Sequence, residues 1–301
     1  MKKRVVLATR IWQRGAGVDN EIFNWSKFDE VHAKPIRHLL RQEVVSGIVV
    51  AVNGEVGNPM AELQDKNKMT PTMLAFAGAF PDEIKQGKLI VRLCEQWGPN
   101  PGSASALNLG AQVAREEFEA RWVMNWSPEF KLNVFKIFHA LHFAESTGRS
   151  VVGVLRQYWW QKTQWNVPQN TACLWDLAML LGVNGFSEQC NGIAEDTIPT
   201  FVPQLGEMVD APVAGMEDYH AMLRMMEADP NDDDPKFKWG MIGVEDPSEW
   251  VVAHDDPKAM RDHYIKMARQ EKVMEVWAQR VFPKCPTHET LELFFRRSRQ
   301  D

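Results

Sequence analysis

Between Lys88 and Phe130 the chain passes through an apolar stretch, a loop of small residues, a helix-like segment and a second apolar stretch. The first stretch is Lys88-Leu89-Ile90-Val91-Arg92-Leu93-Cys94, and the last is Trp122-Val123-Met124. The loop opens Gly98-Pro99-Asn100-Pro101-Gly102-Ser103. Strand, small-residue loop, helix and strand in that order make the unit of an open α/β sheet. Ligands on such sheets sit beyond the carboxyl ends of the strands. Residues 98–108 and those just after Met124 are therefore the first candidates for chemistry.

The same alternation runs through much of the chain. Val5-Val6-Leu7-Ala8 is short, continuous and β-branched, as a buried strand is. It leads into Thr9-Arg10-Ile11-Trp12 and a loop with Gly15-Ala16-Gly17. Ser26 to Val44 is predicted helical, with Ile36, Leu39 and Leu40 at helical spacing and Pro35 as a break or kink. Gly47 to Val52 is a second buried strand before the turn signal Asn53-Gly54. Met69 to Phe80 reads as a short helix ended by Pro81, and Leu89 to Leu93 as the third strand. The apolar spacing of Phe130, Val134, Phe135, Phe138, Leu141 and Ala144 predicts a helix over 128–146, stopped by Gly148. Val151 to Leu155 is a strand, Thr171 to Leu181 a helix ending at Gly182, and Asp218 to Glu227 a short helix. Asp255-Asp256-Pro257 opens a last helix whose apolar stripe includes Met260, Tyr264, Met267, Met274 and Trp277.

The expected architecture is an α/β, open, doubly wound mixed sheet, Rossmann-like, over residues 1–230, with a helical C-terminal extension over 231–301 packed on it. With 45% apolar residues among 301, one substantial core is available. A formal net charge of −6 and the absence of a long basic run make nucleic-acid binding an unfavoured role. Four scattered cysteines without a Cys-x-x-Cys pair fit a reducing, cytoplasmic setting and argue against a zinc ribbon. No stretch of the sequence is long and apolar enough for a transmembrane helix.

The loop and the helix after it carry Asn100-x-Gly102-x-x-x-x-x-Asn108-x-Gly110. Small residues there let a backbone come close to a ligand. This pattern resembles the loop-plus-helix motif of the GT-A glycosyltransferases, the inverting nucleotide-diphospho-sugar transferase superfamily. Other pieces follow in that family's order. Ala8-Thr9 sits where its first strand ends, and His38-Leu39-Leu40-Arg41-Gln42 is similar to its first helix. Gly47 to Glu55 resembles its second strand with a terminal Asp-Asp-Gly-Ser turn. Val183-Asn184-Gly185-Phe186-Ser187-Glu188 resembles its Gly-Gly-Phe-Asp-Glu turn. Glu217-Asp218-Tyr219-His220-Ala221-Met222-Leu223-Arg224 resembles its Glu-Asp motif with the arginine at the expected offset. The likeness covers about residues 4–225.

The resemblance implies a transferase that takes a nucleotide-diphosphate sugar and passes the sugar to a hydroxyl of a glycan, a lipid-linked acceptor or a small molecule. It implies donor contacts from Ala8, Thr9, Arg10, Asn53, Asn100, Gly102, Asn108, Asn125, Trp126 and Ser127. It makes Asp218 the base that takes the acceptor proton, with Glu217 supporting. Read from the residues alone, the pair is equally an ordinary set of acids at a helix start. Asp196, in Glu195-Asp196-Thr197, is a second candidate base that lacks the trailing arginine. Trp159 and Trp160 follow a strand and could stack on an acceptor sugar or pack in the core.

Two departures bear on mechanism. The family holds manganese or magnesium on a D-x-D pair, and this chain has Asn125-Trp126-Ser127 in its place. Neutral side chains make poor ligands for hard divalent cations, so no metal ligand is assigned; Glu129 is the nearest carboxylate that could substitute. Val52-Asn53 likewise stands where the family carries carboxylates. Either a metal-independent enzyme neutralises the diphosphate with arginine or lysine, or a non-catalytic protein keeps the fold and binds a sugar nucleotide, a glycan or a partner subunit. A nucleotidyltransferase is disfavoured, because no Gly-rich loop of the right Lys- or Arg-bearing kind follows the first strand.

Overall fold

The computed structural model describes residues 5–12, 25–53, 71–94, 103–128, 130–154, 170, 172–187, 197–212, 217–229 and 237–242, together with 261, 264, 265 and 268. Its centre is a sheet of seven strands: β1 (Val5–Trp12), β2 (Val45–Asn53), β3 (Leu89–Cys94), β4 (Trp122–Trp126), β5 (Val151–Val154), β6 (Ala172–Asp176) and β9 (Trp239–Ile242). They lie in the order β3-β2-β1-β4-β6-β5-β9. β1 pairs in parallel with β2 and β4, β2 with β3, and β5 with β9. β6 pairs antiparallel with both β4 and β5, so it alone runs against the rest. A separate antiparallel hairpin joins β7 (Thr197–Val202) and β8 (Glu207–Pro212).

Helices cover both faces, as apolar residues on alternate strand positions require. On one face Leu7, Ile48, Val50, Met124 and Trp126 pack with residues of α2 (Lys34–Leu40), α3 (Pro71–Ala79) and α6 (Val134–Thr147). On the other, Val6, Ala8, Val49, Val123, Cys173 and Trp175 pack with α5 (Ser103–Glu116), α7 (Leu177–Gly182) and α8 (Glu217–Glu227). The expected open, doubly wound mixed sheet is what the chain forms.

Several element boundaries differ from the sequence reading. The helix expected over 26–44 comprises α1 (Trp25–Phe28), a π-helical turn (Asp29–Ala33) and α2. Pro35 lies in the first positions of α2, directly after the widened turn, where the Lys34 N–H reaches back five residues to the Asp29 carbonyl. Pro81 does not only end α3; it opens α4 (Pro81–Lys85). α6 begins at Val134 rather than near Pro128, because the Asn133 side chain accepts from the Lys136 N–H at 3.0 Å and sets the start there. Gly148, in the left-handed conformation, closes it as expected.

The stretch 171–181 is a correction of kind. Ala172 to Asp176 is β6, fully buried, and only Leu177 onward is helical. Asp176 marks the junction: its Oδ1 accepts from the N–H groups of Ala178 and Met179 at 3.0 and 3.3 Å. A short apolar run flanked by a helix has no period of its own to separate strand from helix. β9 was not foreseen; it joins the sheet beside β5 from within 231–301. The last helix expected from Asp255 lies almost wholly outside the described residues.

Gly47 shows how tightly β2 is covered. A Cβ there would stand 2.1 Å from Phe118 Cε1 and 2.9 Å from the Lys88 carbonyl oxygen. Overpacking of this sort costs about 1–3 kcal/mol. Gly47→Ala should lower urea unfolding stability by an amount in that range. Because the closest clash is with one ring, the loss from Gly47→Ala combined with Phe118→Ala should be smaller than the sum of the two single losses, the Lys88 carbonyl contact remaining.

Candidate functional site

Four parallel strands, β3, β2, β1 and β4, deliver their carboxyl ends to one edge of the sheet. Because β6 runs the other way, its amino end comes to the same edge, beside the end of β4. Asn125 of β4 is paired with Ala8 of β1 on one side and Cys173 of β6 on the other. Asn170, just before β6, is buried there. The amino end of α8 brings Glu217 and Asp218 to the same place, 2% and 4% exposed.

These residues are wired together. The Asp218 Oδ2 accepts from the Asn170 backbone N–H at 3.0 Å. The Asn170 Oδ1 accepts from Asn125 Nδ2 at 2.8 Å and from the Trp175 indole N–H at 2.9 Å. Arg10, at the end of β1, is ion-paired with Glu217 at 3.8 Å. One cation and two carboxylates are thus gathered at the carboxyl edge, with neutral amides between Asp218 and β4. Burial, and then the Asp218 charge, push the Cys173 thiol well up, so it stays protonated and adds no further negative charge. His220 is pushed down from its ordinary value, first by burial and then by Arg224, with Glu227 opposing. At neutral pH it is an uncharged imidazole two positions beyond Asp218.

The quoted motif pieces meet at a second point on the same face. The Asn108 side chain of α5 brackets the Phe186 backbone, with Nδ2 donating to the carbonyl at 2.8 Å and Oδ1 accepting from the N–H at 2.7 Å. The Arg224 guanidinium of α8 donates to the Gly185 carbonyl. Gly185 has φ +69°, and a Cβ on it would stand 2.3 Å from Asn108 Oδ1, so glycine is demanded twice over. Gly110, two residues beyond Asn108, lets α5 press onto β1: its Cβ would stand 2.8 Å from that of Ala8. Three segments far apart in sequence, at 108, 185–186 and 224, form one clamp that carries α8 and its acids.

The donor residues implied by the resemblance fall into different places. Thr9 and Asn125 are buried at the edge, each with a side-chain oxygen that has no hydrogen-bond partner among the described residues: Thr9 Oγ1 and Asn125 Oδ1. By strand alternation Arg10, 22% exposed at its side chain, shares the face of Asn125, while Thr9, between Leu7 and Ile11, points to the other face. Ala8 spends its side chain against α5, and Asn108 spends its amide on Phe186. Trp126 faces the opposite side of the sheet, buried, with its indole N–H on the Phe130 carbonyl at 2.7 Å. Ser127 follows β4, half-buried. Asn53 ends β2. Asn100, Gly102, Asp196, Trp159, Trp160 and Glu129 lie outside the described residues.

Asn170 is the contributor that sequence reasoning missed. It lies in no quoted motif, and the only signal for it was the strand beginning at Ala172, which had been read as helix. The Asn125-Trp126-Ser127 stretch does not fit the divalent cation that the resemblance implies. Asn125 is neutral and commits its amide nitrogen to Asn170, Trp126 points away, and Ser127 carries no charge. Among the described residues no group of three or more His, Cys, Asp or Glu is placed to hold a metal ion.

Comparison with known proteins finds no family model and no curated sequence that matches this chain. Among solved structures, the path of the chain is similar to that of glucosyl-3-phosphoglycerate synthase from Mycobacterium tuberculosis in complex with Mn2+ and UDP-glucose. That likeness has a TM-score of 0.49 at 9% identity, over 91% of this chain and 78% of that one. It is also similar to 4-diphosphocytidyl-2C-methyl-D-erythritol synthase from Anaerococcus prevotii, at 0.44 and 8% over 89% and 96%. S. aureus TarS with UDP-GlcNAc is similar at 0.34 and 11% over 61% and 48%. Among the described residues no helix is long and apolar enough to cross a membrane.

Removing the clamp should be costly. Asn108→Ala deletes two hydrogen bonds and strands a backbone N–H and C=O, each worth about 1–3 kcal/mol when left unmet. Chemical denaturation should show a stability loss of roughly that size or up to twice it, and Asn108→Asp, which keeps the acceptor but sets an oxygen against the Phe186 carbonyl, should not restore stability at neutral pH.

Proposed function

We propose that this chain is a glycosyltransferase that moves a sugar from a nucleotide-diphosphate sugar to an acceptor hydroxyl with inversion. The observation that carries the reading is the buried Glu217–Asp218 pair at the carboxyl edge of the parallel strands, linked to β1 through Arg10 and to β4 through Asn170 and Asn125. An open α/β sheet takes its ligand at that edge. The meeting of the motif pieces at Asn108, Gly185–Phe186 and Arg224 supports it, because it gives the ordered sequence resemblance one physical purpose: setting α8 against the sheet.

In this reading Asp218 is the base. It takes the proton of the acceptor hydroxyl as the oxygen attacks the anomeric carbon of the donor and the nucleoside diphosphate leaves from the opposite face. The Asn170 N–H fixes the carboxylate, and Glu217 holds Arg10 in place. Thr9, within β1, and Asn53, at the end of β2, stand on the nucleotide side. The loop of Asn100 and Gly102 wraps the donor, and Asn125 and Ser127 lie toward the diphosphate. Arg10 supplies the counter-charge, since a guanidinium hydrogen-bonds phosphate oxygens without a metal. Trp159 and Trp160 stack on the acceptor, which is a glycan, a lipid-linked sugar or a small molecule. Asp196 is the reserve candidate for the base.

Titration with UDP-, GDP- and dTDP-sugars, followed by nucleoside diphosphate release against an acceptor panel, tests this. Asp218→Asn should lower kcat by at least roughly 100-fold, the scale of general-base catalysis, while donor Kd changes by less than about threefold. Donor binding without turnover in the wild type would support a non-catalytic binding protein instead. Absence of binding to every nucleotide sugar would sink the transferase reading.

A further inference from the structure

Trp175 decides the chemistry of position 125. An indole N–H donates and never accepts, so the Asn170 atom 2.9 Å from it is the amide oxygen. That orientation is not a matter of choice between the two ends of an amide. The same oxygen lies 2.8 Å from the side chain of Asn125, so the Asn125 atom facing it is the nitrogen. Residue 125 therefore acts as a hydrogen-bond donor toward Asn170. A carboxylate is acceptor-only and would bring an oxygen against an oxygen there, with Asp218 on the same small group.

We propose that position 125 is rewired for metal-free binding: Asn170 holds Asp218 through its backbone N–H, and its side-chain amide, paired with that of Asn125, offers with it a neutral hydroxyl-bearing group of the ligand one acceptor and one donor, in place of a divalent cation. The acceptor is Asn125 Oδ1 and the donor is Asn170 Nδ2, both buried and both without a hydrogen-bond partner among the described residues. Buried polar atoms of this kind cost about 1–3 kcal/mol each if nothing meets them, which is a reason to expect a ligand group there. A sugar hydroxyl, which both donates and accepts, satisfies the pair; a cation satisfies only the oxygen. The wiring stands on the hydrogen bonds alone, and only the identification of the hydroxyl as a sugar's rests on the transferase reading.

The test is thermal unfolding of the full chain between pH 4.5 and 8, as wild type, Asn125→Asp and Asn125→Ser, with EDTA or with MnCl2 (about 1 mM, an ordinary excess over weak sites). Among the described residues, the titratable groups gathered at the edge with position 125 are Arg10 from β1, Cys173 from β6, and Glu217 and Asp218 from α8. A carboxyl introduced there is held protonated by burial and by Asp218, so its folded pKa lies above its unfolded one. As a protonated acid it can donate to Asn170, and the variant then keeps near wild-type stability at low pH. As pH rises through the ordinary carboxyl range the penalty grows, reaching a midpoint loss of at least about 5 °C by pH 8. Asn125→Ser, a small donor, should show a loss without that pH dependence, and manganese should move none of the three. Rescue of Asn125→Asp by manganese at pH 8 would overturn the proposal, because it would make the position a cation ligand. So would a manganese-dependent rise in the wild type that Asn125→Ser abolishes, or equal pH profiles for the Asp and Ser variants. Should Asn125→Asp not fold at pH 8, refolding at pH 4.5 is expected and its failure there, with Asn125→Ser folded, would also overturn the donor requirement. None of these readouts needs turnover, so they stand or fall apart from the identity of the reaction.

Discussion

The hydrogen bond from the Trp175 indole to Asn170 runs in one direction only, and the candidate site depends on that. It turns the Asn170 oxygen inward, which turns the Asn125 nitrogen toward it. Independently of that side chain, the backbone N–H of the same Asn170 donates to the Asp218 carboxylate. A tryptophan whose ring fills the core thereby sets the polarity of an amide relay. Both ends of that relay reach elements, β4 and α8, that the sequence places far apart.

The relay exists because of a single reversal in the sheet. If β6 ran with its neighbours, its carboxyl end would lie at the edge and Asp176 would be there instead of Asn170. Running against them, β6 puts its amino end beside the end of β4, and Asp176 is free to cap α7 at the opposite edge. Direction of one strand thus decides which of two polar residues meets the acids. Packing on either side is indifferent to that choice, since both faces of β6 are buried in apolar surroundings.

The parallel strands β1 to β5 were legible in the sequence, though not β9, because short β-branched runs such as Val5–Ala8 and Ile48–Val52 carry their own signal. So were the helices with a strong face, α6 and α8, and the stop at Gly148. β6 was not. Ala172-Cys173-Leu174-Trp175 is too short to show a period, and it runs without a break into a true helix. The acids at 217–218 could be picked out, but their partner could not. Asn170 matters through one backbone N–H and one carbonyl oxygen, and neither leaves a pattern in residue spacing. Asn108 was visible as part of a motif, while its actual hold on Phe186 is a contact across 78 positions that only the folded chain supplies.

The bond from Arg224 to Gly185 spans 39 positions and fastens the two ends of everything between them. The β7–β8 hairpin lies within that excursion. With the ends pinned, extra residues inside add only a logarithmic closure entropy and exert no leverage on α8. A longer or shorter hairpin tip would therefore cost the fold little, because the pinning bond lies outside it.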